Sequence, residues 1–176
     1  MSQLFLRKFV SRALSLTALA LPFGPLAANA APSAANLAMI AEPQTLDPMG
    51  TTADLVGTIM QHVYEPLYTF DANWNVVPML AESLPTASKD GLTHTIALRK
   101  GVKFHNGREM VADDVVASLQ RWMELSPRGK SVAKEVAAVE AKEPYVVELK
   151  LKAPYAPLLS QLALPSGMAG IMAKET

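Results

Sequence analysis

The sequence has no cysteine, which excludes a disulfide scaffold, a thiolate metal site and a lipid-modified N-terminal Cys. It has no surplus of charge either. Lys+Arg and Asp+Glu number 16 each, so the basic face that nucleic acid requires is not expected. Nor does it hold an apolar run of the roughly 18–20 residues that cross a bilayer. Histidine is sparse: His62, His94 and His105 show no metal-ligand spacing, and no metal site is expected. Ser83, Ser88, Ser118 and Ser126 lie outside any G-x-S-x-G elbow, and no glycine-rich phosphate loop is present. These absences leave no catalytic residue to nominate and no warrant for an enzyme or a cofactor.

What the chain does have begins at its N-terminus. Arg7, Lys8 and Arg12 precede a short apolar run over residues 13–21. Pro22 and Gly24-Pro25 then break any helix, and Ala28-Asn29-Ala30 places small residues where a signal peptidase reads. Basic, apolar, breaker and A-x-A in that order predict a secretory signal peptide over residues 1–30, cleaved near Ala30. Its removal leaves 13 Lys+Arg against 16 Asp+Glu, a mildly acidic chain. Residues 31–36 read as a flexible leader, and residues 37–176 as the folded portion. Export without a lipid anchor predicts a soluble periplasmic protein.

Along the folded portion, residues 37–41 are an apolar run suited to a buried strand. Val56, Ile59, Met60 and Val63 fall at i, i+3, i+4 and i+7 and predict a helix from about Asp54, ended by Pro66. Short strands are expected over residues 67–70 and 76–78, joined by the polar turn Asp71-Ala72-Asn73-Trp74-Asn75. Asp90-Gly91 marks a tight turn, and residues 93–99 alternate with Ile96 and Leu98 on one face. Val102 and Phe104 form another short run before the turn at Asn106-Gly107. A helix is predicted from Ala112 to Leu125, stopped by Pro127 and Gly129. Strands over residues 136–140 and 145–151 and a helix over residues 156–164 follow, then a tail with no visible terminal element.

Two patterns invite chemistry and fail. The run from Asp71 to Glu82 spaces oxygens like a calcium loop, but Val76 stands where a sharp turn needs Gly and Pro78 intrudes. Asp113 and Asp114 are neighbours on a helix and point about 100° apart, so they do not share a proton. Their place in a first turn suits the helix dipole.

Several stretches, in order, resemble the peptide/nickel-type extracytoplasmic solute-binding proteins of ABC importers, known as family 5. They are Thr45-Leu46-Asp47-Pro48, Val63-Tyr64-Glu65-Pro66-Leu67 and Pro78-Met79-Leu80-Ala81-Glu82-Ser83. The longest runs from Asp90-Gly91 through Arg99-Lys100-Gly101-Val102-Lys103-Phe104-His105-Asn106-Gly107 to Ala112-Asp113-Asp114-Val115. Tyr145-Val146-Val147-Glu148-Leu149 and Ala156-Pro157-Leu158-Leu159 match more loosely. The chain departs from the family pattern at Val111, where a hydroxyl cap is usual, and at Leu84, where Trp is frequent. It is also far shorter than the family's two-lobed proteins.

The resemblance implies an α/β fold of periplasmic binding protein type II, with this chain holding only the N-terminal part of the first lobe. It implies a binding protein, not an enzyme. The partners are a small solute such as a peptide and a permease/ATPase pair in the inner membrane, and the protein acts as a monomer. Carried over by spacing from Asp47-Pro48, it also implies that Thr51, Thr52, Ala53 and Asp54 form part of the wall of the ligand cleft. The alternative for those residues is an ordinary loop with Asp54 as helix N-cap. For the chain as a whole the alternative is a truncated product of the same family that does not bind.

Overall fold

The computed structural model describes residues 38–175. The expected signal peptide, leader and cleavage site lie outside the described residues. In chain order the elements are α1 (Asp54–Met60), β1 (Tyr68–Phe70), β2 (Val76–Pro78), β3 (Thr86–Ala87) and β4 (Thr93–Ala97). There follow α2 (Ala112–Leu125), α3 (Pro127–Ala133), β5 (Val136–Glu143), β6 (Val146–Leu151) and α4 (Leu158–Ala163). Helices and sheet are interleaved as the α/β expectation requires, and every strand pair is antiparallel.

The main sheet has the order β3-β4-β6-β5, and β1-β2 form a separate hairpin. β6 is the central strand. Its alternation puts Val147, Leu149 and Leu151 into the core and turns Glu148 and Lys150 outward, the period of a half-buried strand. Ile96 of β4 stands opposite Val147, and Val139 of β5 opposite Leu149. α2 lies across this face with Val115, Leu119 and Trp122 buried. α3 packs on α2 and β5, while α4 covers the β1-β2 hairpin. One apolar cluster, with Trp122 and Tyr68 fully buried, joins both sheets.

Turn chemistry falls where expected. Asp71 accepts the N–H groups of Asn73 and Asn75 through one carboxylate oxygen, both at 2.8 Å, and closes the β1-β2 hairpin. Gly91 adopts φ 71° in the turn between β3 and β4, a region costly for side chains.

Four expectations are corrected. Residues 38–41 form no strand and are exposed; among the described residues no strand pairs with them, so their backbone groups turn to water. The first helix ends at Met60, short of Pro66, and leaves Val63 44% exposed. Pro127 starts a helix instead of only stopping one: a fixed φ and a missing N–H suit the first helical position. Gly129 lies inside that helix, where its lack of a Cβ lets α3 pack against the Trp122 carbonyl. The tail over residues 164–175 holds no helix or strand, as expected, and is nevertheless packed. Met168, Ala169 and Ile171 are buried, and Ile171 donates its N–H to the Glu65 carbonyl at 2.9 Å.

Candidate functional site

The four residues nominated for a cleft wall follow a pinned turn. Asp47 accepts the Met49 N–H at 2.9 Å and, through its own carbonyl, the Gly50 N–H at 3.2 Å. Its carboxylate also takes the Arg121 guanidinium of α2 at 2.7 Å. That hydrogen bond, more than any other contact, holds the Asp47 carboxyl below the usual carboxylate range. Met49 is fully buried, and its sulfur receives an N–H of Arg121 at 3.0 Å. An apolar plug and an ion pair thus fix the chain against α2 just before Thr51.

Beyond this turn residues 51–53 form no regular element, Ala53 is extended, and α1 begins at Asp54. Thr51 Oγ1 accepts the Ala53 N–H at 3.1 Å. Thr52 gives its carbonyl to the Ser166 hydroxyl at 2.6 Å. Asp54 is the first helical residue rather than the cap; Ala53 takes the N-cap position and no side chain caps it. Thr52, Ala53 and Asp54 are exposed, and Thr51 is half-buried.

The partner strip is Pro165-Ser166-Gly167. Gly57 of α1 lies so close to it that an added Cβ would sit 2.8 Å from the Pro165 carbonyl oxygen. Glycine there lets the helix rest on the strip. Gly167 has φ 65°, and its carbonyl accepts the indole N–H of Trp122 at 2.7 Å. The neighbouring Ser126 hydroxyl, fully buried, also donates to it at 3.3 Å. Arg128 of α3 closes the group: its Nε donates to the Ser166 carbonyl at 2.7 Å.

Thr52 therefore stands at the edge of an open hollow of about 390 Å³ lined also by Pro127, Arg128, Ser131, Tyr155 and Gln161. Thr51, Ala53 and Asp54 are not among its lining residues. The hollow offers hydroxyls, an amide and a guanidinium, a set suited to hydrogen-bonding a polar solute. A larger hollow of about 490 Å³ lies between the end of α1, residues 102–106 and the tail, with Tyr64, Phe104, Met110 and Ile171 in its walls. None of the four nominated residues reaches it, although His62 and His105 border it.

Sequence reasoning missed Arg128, Ser166 and Gly167. Ser166 lies 114 positions from Thr52, and a short Pro-Ser-Gly stretch reads as a loop wherever it occurs. Asp114 was understood only in part. Besides its place in the first turn it is buried, and it binds Arg108 through both oxygens at 2.6 and 3.0 Å. It also accepts the N–H groups of Val111 and Lys174, each at 2.9 Å.

The model for bacterial extracellular solute-binding proteins, family 5 (middle region), matches residues 75–175. The chain belongs to this family, the solute-binding proteins of ABC importers. Among family 5 relatives, the glutathione-binding protein GsiB of Escherichia coli O1:K1 is 35% identical over 124 residues, 69% of this chain and 24% of that one. The chain thus spans about a quarter of the length of the curated relatives it matches. Among solved structures, NikA from Brucella suis in complex with Fe(III)-EDTA is 37% identical, with a TM-score of 0.61. That match covers 66% of this chain and 24% of NikA. AgaA from A. tumefacien R10, in complex with agropinic acid, is 30% identical with a TM-score of 0.66, covering 76% of this chain and 27% of AgaA. The fold is accordingly part of a periplasmic binding protein architecture, and the family is one of binding proteins rather than enzymes.

Proposed function

We propose that this chain supplies one wall of the solute cleft of a periplasmic receptor serving an ABC importer. Thr51, Thr52, Ala53 and Asp54 contribute to that wall, and the solute is a peptide or a similarly small polar molecule. The receptor is exported by the signal peptide of residues 1–30, works as a monomer without a cofactor, and delivers its solute to a permease and ATPase in the inner membrane. Closure of a second wall over the solute would be a hinge motion of the kind such receptors use.

The observation that carries this reading is the treatment of Thr52. Its carbonyl is held by Ser166 while the residue itself is exposed beside an open polar hollow. A backbone fixed from behind and bare in front is preorganised to bind, because little ordering remains to be done when a ligand arrives. The named ligands of relatives point the same way: glutathione for GsiB, agropinic acid for AgaA and the peptide STSA for DppA of Helicobacter pylori.

Trp122 reports on the site, since its indole bonds the carbonyl of Gly167 next to Ser166. Titration of the exported protein with glutathione and with short peptides should give a saturable change in its fluorescence. Thr52→Trp, which fills the hollow, should abolish that change without lowering thermal stability. A flat titration with every solute would favour the non-binding product. The N-terminal peptide of the exported protein should begin at Ala31.

A further inference from the structure

The structure assigns Arg128 as an anion anchor, and we propose that the solute it receives carries a carboxylate. This inference deepens the cleft-wall reading above and rests on it.

The described residues hold four arginines. Arg108 is neutralised by Asp114 and Glu175, and Arg121 by Asp47. Arg99 has no acidic partner among them, but it borders neither hollow, and its Nε donates to the Ala81 carbonyl at 3.2 Å. Arg128 also has no acidic partner among the described residues, and no acidic side chain lines the hollow it borders. Its guanidinium is nevertheless held in place. Nε donates to the Ser166 carbonyl at 2.7 Å, and Nη2 approaches the Ser166 hydroxyl at 3.5 Å. Guanidinium has five N–H donors, so both hydrogens of Nη1 and one of Nη2 remain without a protein acceptor among the described residues. A planar fork, clamped on one edge and open on the other, is the arrangement that takes a carboxylate through two parallel hydrogen bonds.

The surroundings supply the rest of a recognition set. Thr52, Ser131 and Gln161 line the same hollow and can bond the polar atoms adjoining the carboxylate, while Tyr155 adds an aromatic face. The Ser166 hydroxyl that bonds the Thr52 carbonyl belongs to the residue that clamps Arg128. Anchor and nominated wall are therefore fixed relative to each other by one residue. Lysine could keep the charge but not the clamp and the fork together.

The test uses trialanine and trialaninamide, which differ in the C-terminal carboxylate, in calorimetric titrations of the full exported chain. The acid should bind at least tenfold more tightly than the amide. Arg128→Gln should remove that preference, and Arg128→Lys should retain a reduced one. The acid-to-amide ratio of the unaltered protein does not depend on any variant folding. Equal binding of acid and amide, or an undiminished preference in folded Arg128→Gln, overturns the anchor and leaves the cleft-wall reading standing. If neither peptide binds, the cleft-wall reading falls and the anchor falls with it.

Discussion

Two regions of the molecule are stabilised by different means. The body, made of α2 on the β3-β4-β6-β5 sheet, is closed by large apolar side chains: Trp122, Val147, Leu149 and Leu119 are all nearly inaccessible. The strip from Thr45 to Met60 has only a small cluster of its own, Val56 and Met60 on Met168. It is attached to the body by the buried plug of Met49, the Asp47–Arg121 ion pair and the Ser166–Thr52 hydrogen bond. Burying a large apolar side chain contributes about 1.5–3 kcal/mol, whereas a partly exposed ion pair contributes about 0–1. The wall nominated for ligand contact is thus held by fewer buried apolar side chains than the body, so its amides should exchange before those of β6.

The largest effect should come from removing what the two regions share. Trp122→Ala empties the centre of the body and deprives the Gly167 carbonyl of the shorter of its two hydrogen bonds. The expected loss is about 3–5 kcal/mol by chemical denaturation, with the strip released in the same transition. A loss under about 1 kcal/mol would mean that the body is not organised around this residue.

Asp114→Asn comes next and tests the body alone. It breaks a pair in which Asp114 is 1% exposed and Arg108 37%, so about 2–3 kcal/mol is expected, below the figure for a fully buried pair. Burial pushes the Asp114 carboxyl up, but its hydrogen bonds from Arg108, Val111 and Lys174 outweigh burial and hold it below 3.8. A carboxyl depressed in the folded state adds stability that is present above its unfolded value and lost as pH falls through the folded one. Acid denaturation should therefore steepen below about pH 3.8, and the Asn variant should show a shallower decline. Thermal melts between neutral pH and that range check both points.

The smallest global effect belongs to the strip. Arg121→Gln removes a pair whose members are 38% and 32% exposed, and the stability change should stay under about 1 kcal/mol. Amide exchange over residues 49–57 should nonetheless accelerate while the amides of β6 keep their protection. Equal acceleration in both places would erase the distinction between strip and body.

Much of the body was legible in the residues. The apolar spacing of Val115, Leu119 and Trp122 located α2 at its observed bounds, and the alternation through Val147, Leu149 and Leu151 located β6. Both elements bury one regular face, so their period is written in the chain. Residues 38–41 show the limit of that rule. An apolar run announces a strand, but only a paired neighbour makes it one, and none stands beside it among the described residues. Pro127 shows another limit, because a proline that ends one helix is equally suited to begin the next. Of the candidate site, Thr51 and Thr52 could be nominated only through the family resemblance, carried over by spacing from Asp47-Pro48, and their surroundings could not be nominated at all.

By itself, then, the sequence determined most elements from α1 onward, though not β3 or α3, the turns at Asp71 and Gly91, and the family pattern that residues 75–175 match. These depend on local periodicity, backbone preference and short motifs, each contained within a few neighbouring residues. Only the tertiary structure decided that Ser166 would hold Thr52 and clamp Arg128, and that Asp114 would be buried under Arg108. Those contacts join positions far apart in the chain or depend on which side chains burial leaves without water. No local pattern encodes a partner that only packing brings within reach.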